Sequence, residues 1–438
     1  MTPPIPTFST TLILTLFLTL TFLAVLAGQA TATPTAEPLQ VPSQGLGVPI
    51  INPAAKDIIP NKYIVVYHDT YDDDTVAAHQ AYWAAAIEKQ NIGRRSPVDD
   101  RLLSTNIHTF SIGPLRAMIL EADDANAIKI NDADEVSYIE ADTYLHLRNI
   151  ITQRNATTGL ARLSSSQLGT TSYTYHDSAG DGITAFIVDT GIMTDHEEFD
   201  GRAVFAFNSA DNIDTDVDGH GSHVAGIIGG KTFGVAKKAT LVGVKVLDTH
   251  GRGTCSTVLA GIEFVVQTAR QMHLSGKSVV NMSVGGSRSS ALNQAINSLR
   301  EAGVVPVVAA GNDDTDVQND SPASAPGAIT VGAIDQTTDQ RAYFSNFGQL
   351  VDVFAPGVNV ESVGIQNNTA TQMRSGTSMA SPHVAGLAAC LMALDNITDI
   401  DAVAARITSL ANATGSRVQG NVEGTTPLIA NNGLQAGA

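Results

Sequence analysis

The chain is poor in cysteine, in basic residues and in long hydrophobic runs. Two cysteines, Cys255 and Cys390, stand among 438 residues with no C-x-x-C pair, which excludes a disulfide scaffold and a cysteine-based zinc or redox site. Only 25 Lys and Arg oppose 43 Asp and Glu, a net charge of −18. This acidity argues against nucleic acid or an anionic membrane as a partner. With 43% hydrophobic and 16% charged residues, the composition excludes a disordered chain.

The one hydrophobic run of near membrane-spanning length lies at the N-terminus. Residues 11–27 are apolar and lead to Ala30-Thr31-Ala32, small residues typical of a cleavage site, so residues 1–32 are predicted to be a secretory signal peptide. The first ten residues lack Lys and Arg, and an uncleaved membrane anchor is the alternative. Residues 33–60, rich in Pro, Ala and Thr, are predicted to be a linker.

Two regions that differ in their pattern of predicted strands and helices follow. Residues 61–145 combine short strand patterns with an Ala-rich helical stretch, Thr75 to Gln90, that contains Trp83 in its apolar positions; they predict a small α+β domain. From residue 150 to 425, continuous apolar strands alternate with longer helices, which indicates an α/β domain whose parallel sheet is covered on both faces. The predicted strands of that sheet are Ile183–Val188, Leu241–Val246, Ser278–Met282 and Val304–Ala309.

Three segments of the larger region carry groups suited to catalysis. Asp189 ends a buried strand, where ligand and catalytic groups collect in α/β sheets, although a turn or cap is the alternative. His220 lies between glycines at a helix start, which suits a general base; with His223 it could instead form a zinc pair, but the H-E-x-x-H spacing is absent. Ser378 opens a long apolar helix, and a plain N-cap is the alternative.

Together the three residues are more specific than any one. A serine hydroxyl needs a histidine to take its proton, and the histidine needs a carboxylate to fix its tautomer. The chain order Asp189, His220, Ser378 is the subtilisin order. With its D-T-G, H-G-x-H-V-A-G and G-T-S-M-A-x-P-H-V-A-G blocks, the sequence resembles the subtilisin-like serine proteases, in particular the proteinase K-like branch.

The resemblance implies a secreted, monomeric endopeptidase without stable membrane association. Its implied fold has three layers, a mainly parallel sheet between helices, preceded by a small α+β propeptide domain. Residues 61–145 would be an inhibitory propeptide of the I9 type that acts as chaperone and inhibitor of its own zymogen, 150–425 the peptidase domain and 426–438 a C-terminal tail. Its partners would be polypeptide substrates.

The family pattern also implies residues that bind substrate. Asn312 matches the side chain that stabilises the oxyanion. Edge segments would pair with an extended peptide by strand addition, and because neither edge contains Asp or Glu, we expect broad cleavage leaning to apolar or aromatic residues. Arg252 would favour acidic residues further from the cut. The substrate-binding residues implied are Gly251, Arg252, Gly253, Ser283, Val284, Gly285, Gly286, Ala310 and Gly311.

The resemblance implies calcium as a structural ion and no cofactor for catalysis. The matching oxygen ligands are the carbonyls of Pro326 and Ala328 and the carboxylate of Asp352. The acidic runs Asp211–Asp218 and Asp313–Asp320 are predicted to be solvated loops, and both cysteines to be free and mostly buried. Two rivals remain: a catalytically silent relative that only binds peptides, and a membrane-anchored protease.

Overall fold

The described part of the chain forms two compact units. A computed structural model describes residues 49–434 except 53, 54, 56, 57 and 145–148, and the units take in residues 49–144 and 149–434 of it. The predicted signal peptide and most of the predicted linker therefore lie outside the described residues.

The smaller unit is an antiparallel sheet with two helices. Its strands run in the order β2-β3-β1-β4. Trp83 is buried in its core with Tyr63 and Ile87. Strand β1 begins at Ile58, inside the predicted linker, because Ile58 pairs with Thr143. The elements are β1 (Ile58–Tyr67), α1 (Asp73–Asn91), β2 (His108–Ile112), β3 (Leu115–Glu121), α2 (Asp124–Asn131) and β4 (Val136–Thr143).

The larger unit alternates strands and helices through most of its length. Its elements are β5 (Ile150–Arg154), α3 (Thr158–Leu163), β6 (Ser172–His176), β7 (Thr184–Asp189), β8 (Ala203–Asn208), α4 (His220–Gly229), β9 (Thr240–Lys245), α5 (Cys255–Gln271), β10 (Ser278–Met282), β11 (Gly286–Ser287), α6 (Ser290–Glu301), β12 (Val304–Ala309), β13 (Asp320–Ser321), β14 (Ile329–Asp335), β15 (Gln340–Arg341), β16 (Val353–Pro356), β17 (Val360–Val363), β18 (Thr371–Arg374), α7 (Thr377–Asp395) and α8 (Ile400–Ala413).

An eight-stranded sheet forms the middle layer of this unit. Its order is β15-β14-β12-β10-β7-β9-β8, with β16 beside β14, and every pair is parallel except β14 with β15. Side chains alternate between two cores: Ala185 and Ile187 join the core that holds α4, α7 and α8, whereas Phe186 and Val188 join the core that holds α5 and α6. The four predicted strands match observed strands within one residue at each end.

Two further expectations need correction. The sequence predicts a tail after residue 425, but Ile429 is fully buried and the backbone N–H of Ala430 donates to the carbonyl of Phe354 at 2.8 Å, because this apolar stretch completes a core. Both cysteines are free, as predicted, but Cys255 is exposed at the first position of α5 and Cys390 is only partly buried.

One helix of the described residues, α7, is long and apolar enough to span a membrane by composition. Most of it is buried among the helices and strands of the larger unit, as expected of a core helix.

Candidate active site

Asp189 is the last residue of β7 and is completely buried. Its Oδ1 accepts a hydrogen bond from the backbone N–H of Thr190 at 2.7 Å. The same oxygen lies 2.7 Å from Nδ1 of His220. A carboxyl end of a parallel strand thus carries the carboxylate, as expected for a catalytic group in an α/β sheet.

His220 is the first residue of α4. The helix follows Gly219, whose φ of +90° lies in the region that favours glycine, and the His220 N–H donates to Oδ1 of Asp218 at 3.1 Å. Burial acts to lower the pKa of His220, but the charge and hydrogen bond of Asp189 outweigh it and the pKa is raised. Since Asp189 Oδ1 can only accept, Nδ1 carries the proton and Nε2 keeps the lone pair that a general base needs.

Ser378 is the second residue of α7. The helix follows Gly376, which supplies no side-chain cap; the Thr377 N–H donates to Asn312 and the Met379 N–H to the Gly376 carbonyl, which leaves the Ser378 N–H at the positive end of the helix dipole to bind an anion. The Ser378 hydroxyl donates to the Ser283 carbonyl at 3.3 Å, and the Ser283 hydroxyl donates to the Ser378 carbonyl at 2.9 Å. No hydrogen bond joins Ser378 to His220 in the described residues, and such catalytic bonds are often long or poorly aligned without substrate.

Arg374, the last residue of β18, links the segment before Ser378 to Asp218, two residues before His220. It lies four residues before Ser378, and its Nη2 donates to the carbonyl of Asp218 at 3.1 Å and lies 3.6 Å from Oδ1 of the same residue. Its positive charge also acts to lower the pKa of His220. Nothing in the local sequence pattern singles this residue out.

Asn312 lies beside the start of α7. Its Oδ1 accepts hydrogen bonds from the backbone N–H and the hydroxyl of Thr377, at 2.8 and 2.9 Å. A methyl group built on Gly376 would lie 3.6 Å from both Asn312 Nδ2 and the Ser378 backbone nitrogen. The side-chain amide of Asn312 and the backbone nitrogen of Ser378 therefore lie close to each other beside Gly376.

The predicted edge at 251–253 lies near His220. A methyl group on Gly251 would lie 3.6 Å from Oδ2 of Asp218, two residues before His220. The loop is closed by Asp248, whose N–H donates to the Arg252 carbonyl at 2.8 Å and whose Oδ1 accepts from the Arg252 N–H at 3.0 Å. Gly253 is exposed, but a methyl group on it would overlap the carbonyl oxygen of Val246 and would lie 2.8 Å from Leu247. The side chain of Arg252 is exposed.

The predicted edge at 283–286 adjoins Ser378 through Ser283. Gly285 and Gly286 are exposed, and a methyl group on either would meet nothing within 4 Å. Val284 is half-buried against the core around α5. This edge therefore offers open space at its glycines and a fixed anchor at Ser283.

Ala310 does not fit the role of a direct substrate contact. It is completely buried, its N–H donates to Val331 and its carbonyl accepts from Asn346. The family pattern places it in the substrate-binding set by adjacency to Gly311, which is half-buried with φ of +106° and donates to the Thr377 hydroxyl at 3.1 Å.

The acidic run Asp211–Asp218 is only partly a solvated loop. Asp216 is buried, and Asp211 pairs at 3.0 Å with the ammonium of Lys245, which is completely buried. The Lys245 ammonium also donates to the carbonyls of Ile213 and Thr215. Sequence reasoning missed these roles because the partners of the carboxylates lie on other elements, far along the chain.

The residues suggested for metals lie in two places. Asp352 accepts the Thr330 N–H at 2.7 Å and donates its own N–H to the Thr330 carbonyl, which brings it beside the segment that holds Pro326 and Ala328. This is the edge where β14 and β16 begin, opposite the catalytic edge. His223 is buried and its Nε2 donates to the carbonyls of Val360 and Gln372, and the described residues hold no cluster of three His, Cys, Asp or Glu, which gives the zinc pair no support.

Comparisons with known proteins agree with this geometry. Residues 180–425 match the model of the subtilase family, peptidase S8. The chain is 43% identical to "Subtilisin-like protease 2" of Pseudogymnoascus destructans over 90% of its length and 94% of that protein, and 42% identical to "Alkaline protease 1" of Aspergillus flavus over 86% and 93%.

A solved structure gives the same result. The crystal structure of a cold adapted subtilisin-like serine proteinase is 40% identical and superposes with a TM-score of 0.57, covering 65% of this chain and 99% of that one. The predicted fold class, a mainly parallel sheet between helices, is thereby confirmed. Since the family model matches more than half of the chain and the relatives align over most of it, the chain belongs to the subtilase family and is a serine-type endopeptidase.

Proposed function

We propose that Asp189, His220 and Ser378 are the triad of a peptide-bond hydrolase. The observation that carries this assignment is the 2.7 Å contact between the buried Asp189 carboxylate and Nδ1 of His220. It fixes the imidazole tautomer and leaves Nε2 as the proton acceptor for a serine hydroxyl.

The mechanism follows from these positions. After its side chain rotates, Ser378 Oγ attacks the scissile carbonyl carbon while His220 Nε2 takes its proton. The same proton then passes to the leaving amine, and an acyl-enzyme remains on Ser378 until water, activated by His220, hydrolyses it. Asp189 stabilises the imidazolium that forms in both steps, which agrees with the raised pKa of His220.

The carbonyl oxygen becomes negative in each tetrahedral intermediate. We propose that Asn312 Nδ2 and the Ser378 N–H donate hydrogen bonds to that oxygen; their common proximity to Gly376 supports this assignment. Fixed donors of this kind stabilise the transition state without reorganisation at the moment of reaction.

The specificity we propose is broad, with a leaning to apolar and aromatic side chains. The exposed edges at 251–253 and 283–286 contain no acidic residue, and Gly285 and Gly286 leave open space. An extended peptide would add to these edges through its main chain, so that side-chain requirements stay few.

We also propose that the protein is a secreted, self-processing zymogen that acts as a monomer without stable membrane association. The smaller unit, an antiparallel sheet with two helices, supports the role of a separate inhibitory propeptide. The predicted leader 1–32 supports secretion. We expect the self-made cut between Leu145 and Thr152, close to Asn149.

A labelling experiment tests the triad. Purified mature protein is assayed with a chromogenic peptide before and after treatment with a sulfonyl fluoride, and the labelled residue is identified by mass spectrometry. We expect turnover, loss of turnover on treatment and a single label on Ser378. A protein that binds the peptide without cleaving it would be the silent relative, and label on another serine would refute the assignment. N-terminal sequencing of the unprocessed Ser378→Ala protein decides between a secreted enzyme, which would begin near residue 33, and an anchored one, which would keep residues 1–32.

We propose that calcium binds at Pro326, Ala328 and Asp352 as a structural ion. Asp352 is exposed, and its carboxylate forms no ion pair with the described residues, so it is accessible to a cation from solvent. Two carbonyls and a carboxylate form the all-oxygen donor set that calcium prefers. The ion would tie together the start of β14 and the residue before β16, and it would take no part in catalysis.

Calcium removal tests this site by stability. We expect the Tm of the inhibited mature enzyme to fall in EGTA and to recover when calcium is restored, since a ligand of the folded state stabilises it by mass action. Asp352→Asn should lose this calcium response, while Asp335→Asn, at the other end of β14, should keep it. An unchanged Tm in EGTA for the unsubstituted enzyme would contradict the proposal.

A further inference from the structure

A second buried carboxylate lies next to the triad and takes no part in the proton transfers of the proposed mechanism. Asp216 is 5% exposed. Its Oδ1 accepts from the Thr190 hydroxyl at 2.9 Å and from the Gly219 N–H at 2.8 Å. Its Oδ2 accepts from the Ser222 N–H at 2.9 Å and from the Ser222 hydroxyl at 2.6 Å. All four contacts are short enough to be strong, charge-assisted hydrogen bonds.

The direction of these hydrogen bonds is fixed by the backbone. The Thr190 hydroxyl accepts the Gly221 N–H at 2.8 Å, and the Ser222 hydroxyl accepts the Met193 N–H at 2.9 Å. Each hydroxyl must therefore donate its own proton to Asp216. The site presents four donors to one side chain, and only an ionised carboxylate accepts all four.

The partners of Asp216 belong to the two segments that hold the catalytic acid–base pair. Thr190 directly follows Asp189, and Gly219 directly precedes His220. Ser222 lies in the first turn of the helix that begins at His220. Asp216 thus connects the residue that follows β7 to the start of α4, the two segments that the 2.7 Å contact between Asp189 and His220 also joins.

The turn after β7 and the first turn of α4 are tightly packed against each other. A methyl group on Gly221 would overlap the carbonyl oxygen of Gly191 and would lie 3.2 Å from the Asp189 Cβ. The turn after β7 and the first turn of α4 are therefore nested backbone against backbone. Because this contact is close, we expect the loss of one hydrogen bond of Asp216 to move the His220 imidazole relative to the Asp189 carboxylate.

We propose that Asp216 is a positioning residue of the protease: its carboxylate sets the distance and angle between Asp189 and His220. The proposal rests on the assignment of Asp189, His220 and Ser378 as the triad. Displacement of a catalytic group by about 1 Å can lower the rate by about 10²-fold, so the loss of one such tether should be visible in kcat.

The test replaces Asp216 by its uncharged isostere. Asp216→Asn turns two acceptor positions into N–H donors that face donors. We expect kcat about 10- to 100-fold lower, KM within about threefold of the unsubstituted enzyme, and a slower reaction of Ser378 with a sulfonyl fluoride. Rates are expressed per active site by titration, so that unfolded protein does not count. Asp214→Asn is the matched control, an exposed residue of the same loop whose carboxylate accepts from Asn208, and it should keep both rates.

A second pair of variants separates positioning from folding. Thr190→Val keeps the shape of the side chain and removes the hydroxyl between Asp216 and the Gly221 N–H, whereas Thr190→Ser keeps that hydroxyl. We expect Val to lower kcat and Ser to restore it. These variants decide the matter if Asp216→Asn does not fold.

The outcomes are distinct from those of the triad test. Sulfonyl fluoride labelling of Ser378 together with an unchanged kcat in folded Asp216→Asn, or in both Thr190 variants, would overturn the positioning role alone. Failure of Ser378 to be labelled in the unsubstituted enzyme would overturn the triad assignment first.

Discussion

At the scale of single residues, substitution of Asn312 gives the clearest separation between an effect on kcat and an effect on KM. In the proposed mechanism its amide donates to the oxygen that becomes negative during the reaction. We predict that Asn312→Leu lowers kcat by about 10²–10³-fold, the loss known for this side chain in a subtilisin, with little change in KM. Steady-state kinetics on one chromogenic peptide measures both constants.

The structural role of Asn312 needs its own control, because Oδ1 also accepts from Thr377. Asn312→Asp keeps an acceptor for these two donors and removes the amide donor. Its kcat should be at least as low as that of the Leu variant. Recovery of kcat in Asn312→Asp would show that the bonds to Thr377, and not the oxyanion, explain the loss.

A second residue-scale prediction concerns Arg374 and the pH profile. The charge of Arg374 acts to lower the pKa of His220, against the raising effect of Asp189. Arg374→Gln removes this positive charge, so the pKa of His220 should rise and the acid limb of kcat/KM should move to higher pH. The profile between about pH 5 and 9 measures the shift, since a histidine base titrates within that range.

Arg270→Gln is the control for a general change of net charge, since Arg270 is exposed near the far end of α5. It should leave the acid limb in place. A movement of the limb to lower pH in Arg374→Gln would contradict the expected influence of the guanidinium charge on His220.

The proposed catalytic residues stand out in the sequence, whereas the residues that support them do not. Asp189, His220, Ser378 and Asn312 sit in short segments whose residue types and order carry the chemistry. Asp216 looks like one carboxylate among several in an acidic run, and its burial depends on donors brought to it by β7 and α4. The bonds from Gly219 and Ser222 are local in sequence, but the bond from Thr190 joins residues 26 positions apart and leaves no local pattern.

At the scale of elements, α4 and α7 carry two buried histidines that must stay neutral. Burial lowers the pKa of His223 to about 3 and that of His383 to about 4. In the unfolded chain both would protonate near pH 6.5. Below that pH the unfolded state binds more protons, and stability is lost as the pH falls toward the folded-state values.

We predict a loss on the order of 2 kcal/mol per histidine between pH 7 and pH 5. Urea unfolding of the covalently inhibited mature enzyme at the two pH values measures it. His383→Asn should lose clearly less stability on acidification, because the substituted side chain does not titrate and its amide can still donate to the Met379 carbonyl that Nδ1 bonds at 2.8 Å.

His273→Asn is the matched control. His273 is exposed, and its φ of +54° is tolerated by asparagine. The same acid sensitivity in His383→Asn and in His273→Asn would rule out the buried imidazole as its source.

The bounds of the buried strands were predicted more accurately than the interactions of the charged residues within them. Apolar runs located β7, β9, β10 and β12 within one residue because buried parallel strands are apolar on both faces. The run that gave β9 includes Lys245, whose burial is possible only because Asp211 and two carbonyls surround its ammonium. Sequence periodicity indicates that a strand is buried but not how a charge within it is compensated.

At the scale of the whole molecule, the fluorescence of Trp83 shows whether the smaller unit is still present after processing. It is the only tryptophan of the chain, and it is buried in the smaller unit with its Nε1–H donating to His79 at 3.0 Å. We predict that Ser378→Ala stays full-length and shows tryptophan emission, whereas the mature enzyme shows tyrosine emission alone. Emission excited at about 295 nm and a denaturing gel provide the measurement.

A control must distinguish cleavage by the enzyme itself from cleavage by a protease of the expression host. The Ser378→Ala protein is therefore expressed alone in a protease-deficient host, where normal processing would contradict self-cleavage. Adding the isolated 61–145 segment to mature enzyme should inhibit it and bring tryptophan emission into the complex. Mature enzyme that keeps this emission and runs as a single shortened band would place the boundary before Trp83.

The open edge at Gly285 and Gly286 bears on how such a protease evolves. A side chain at either position would enter free space, and neither glycine needs a positive φ. Narrowing of the substrate range there would cost the fold nothing. If this edge binds substrate as proposed, one substitution at Gly285 or Gly286 would narrow the range of peptides that are cleaved. Variants other than proline, which would remove a backbone N–H from the strand that pairs Gly286 with Ser321, should keep the melting temperature of the unsubstituted enzyme while differing in the peptides that they digest.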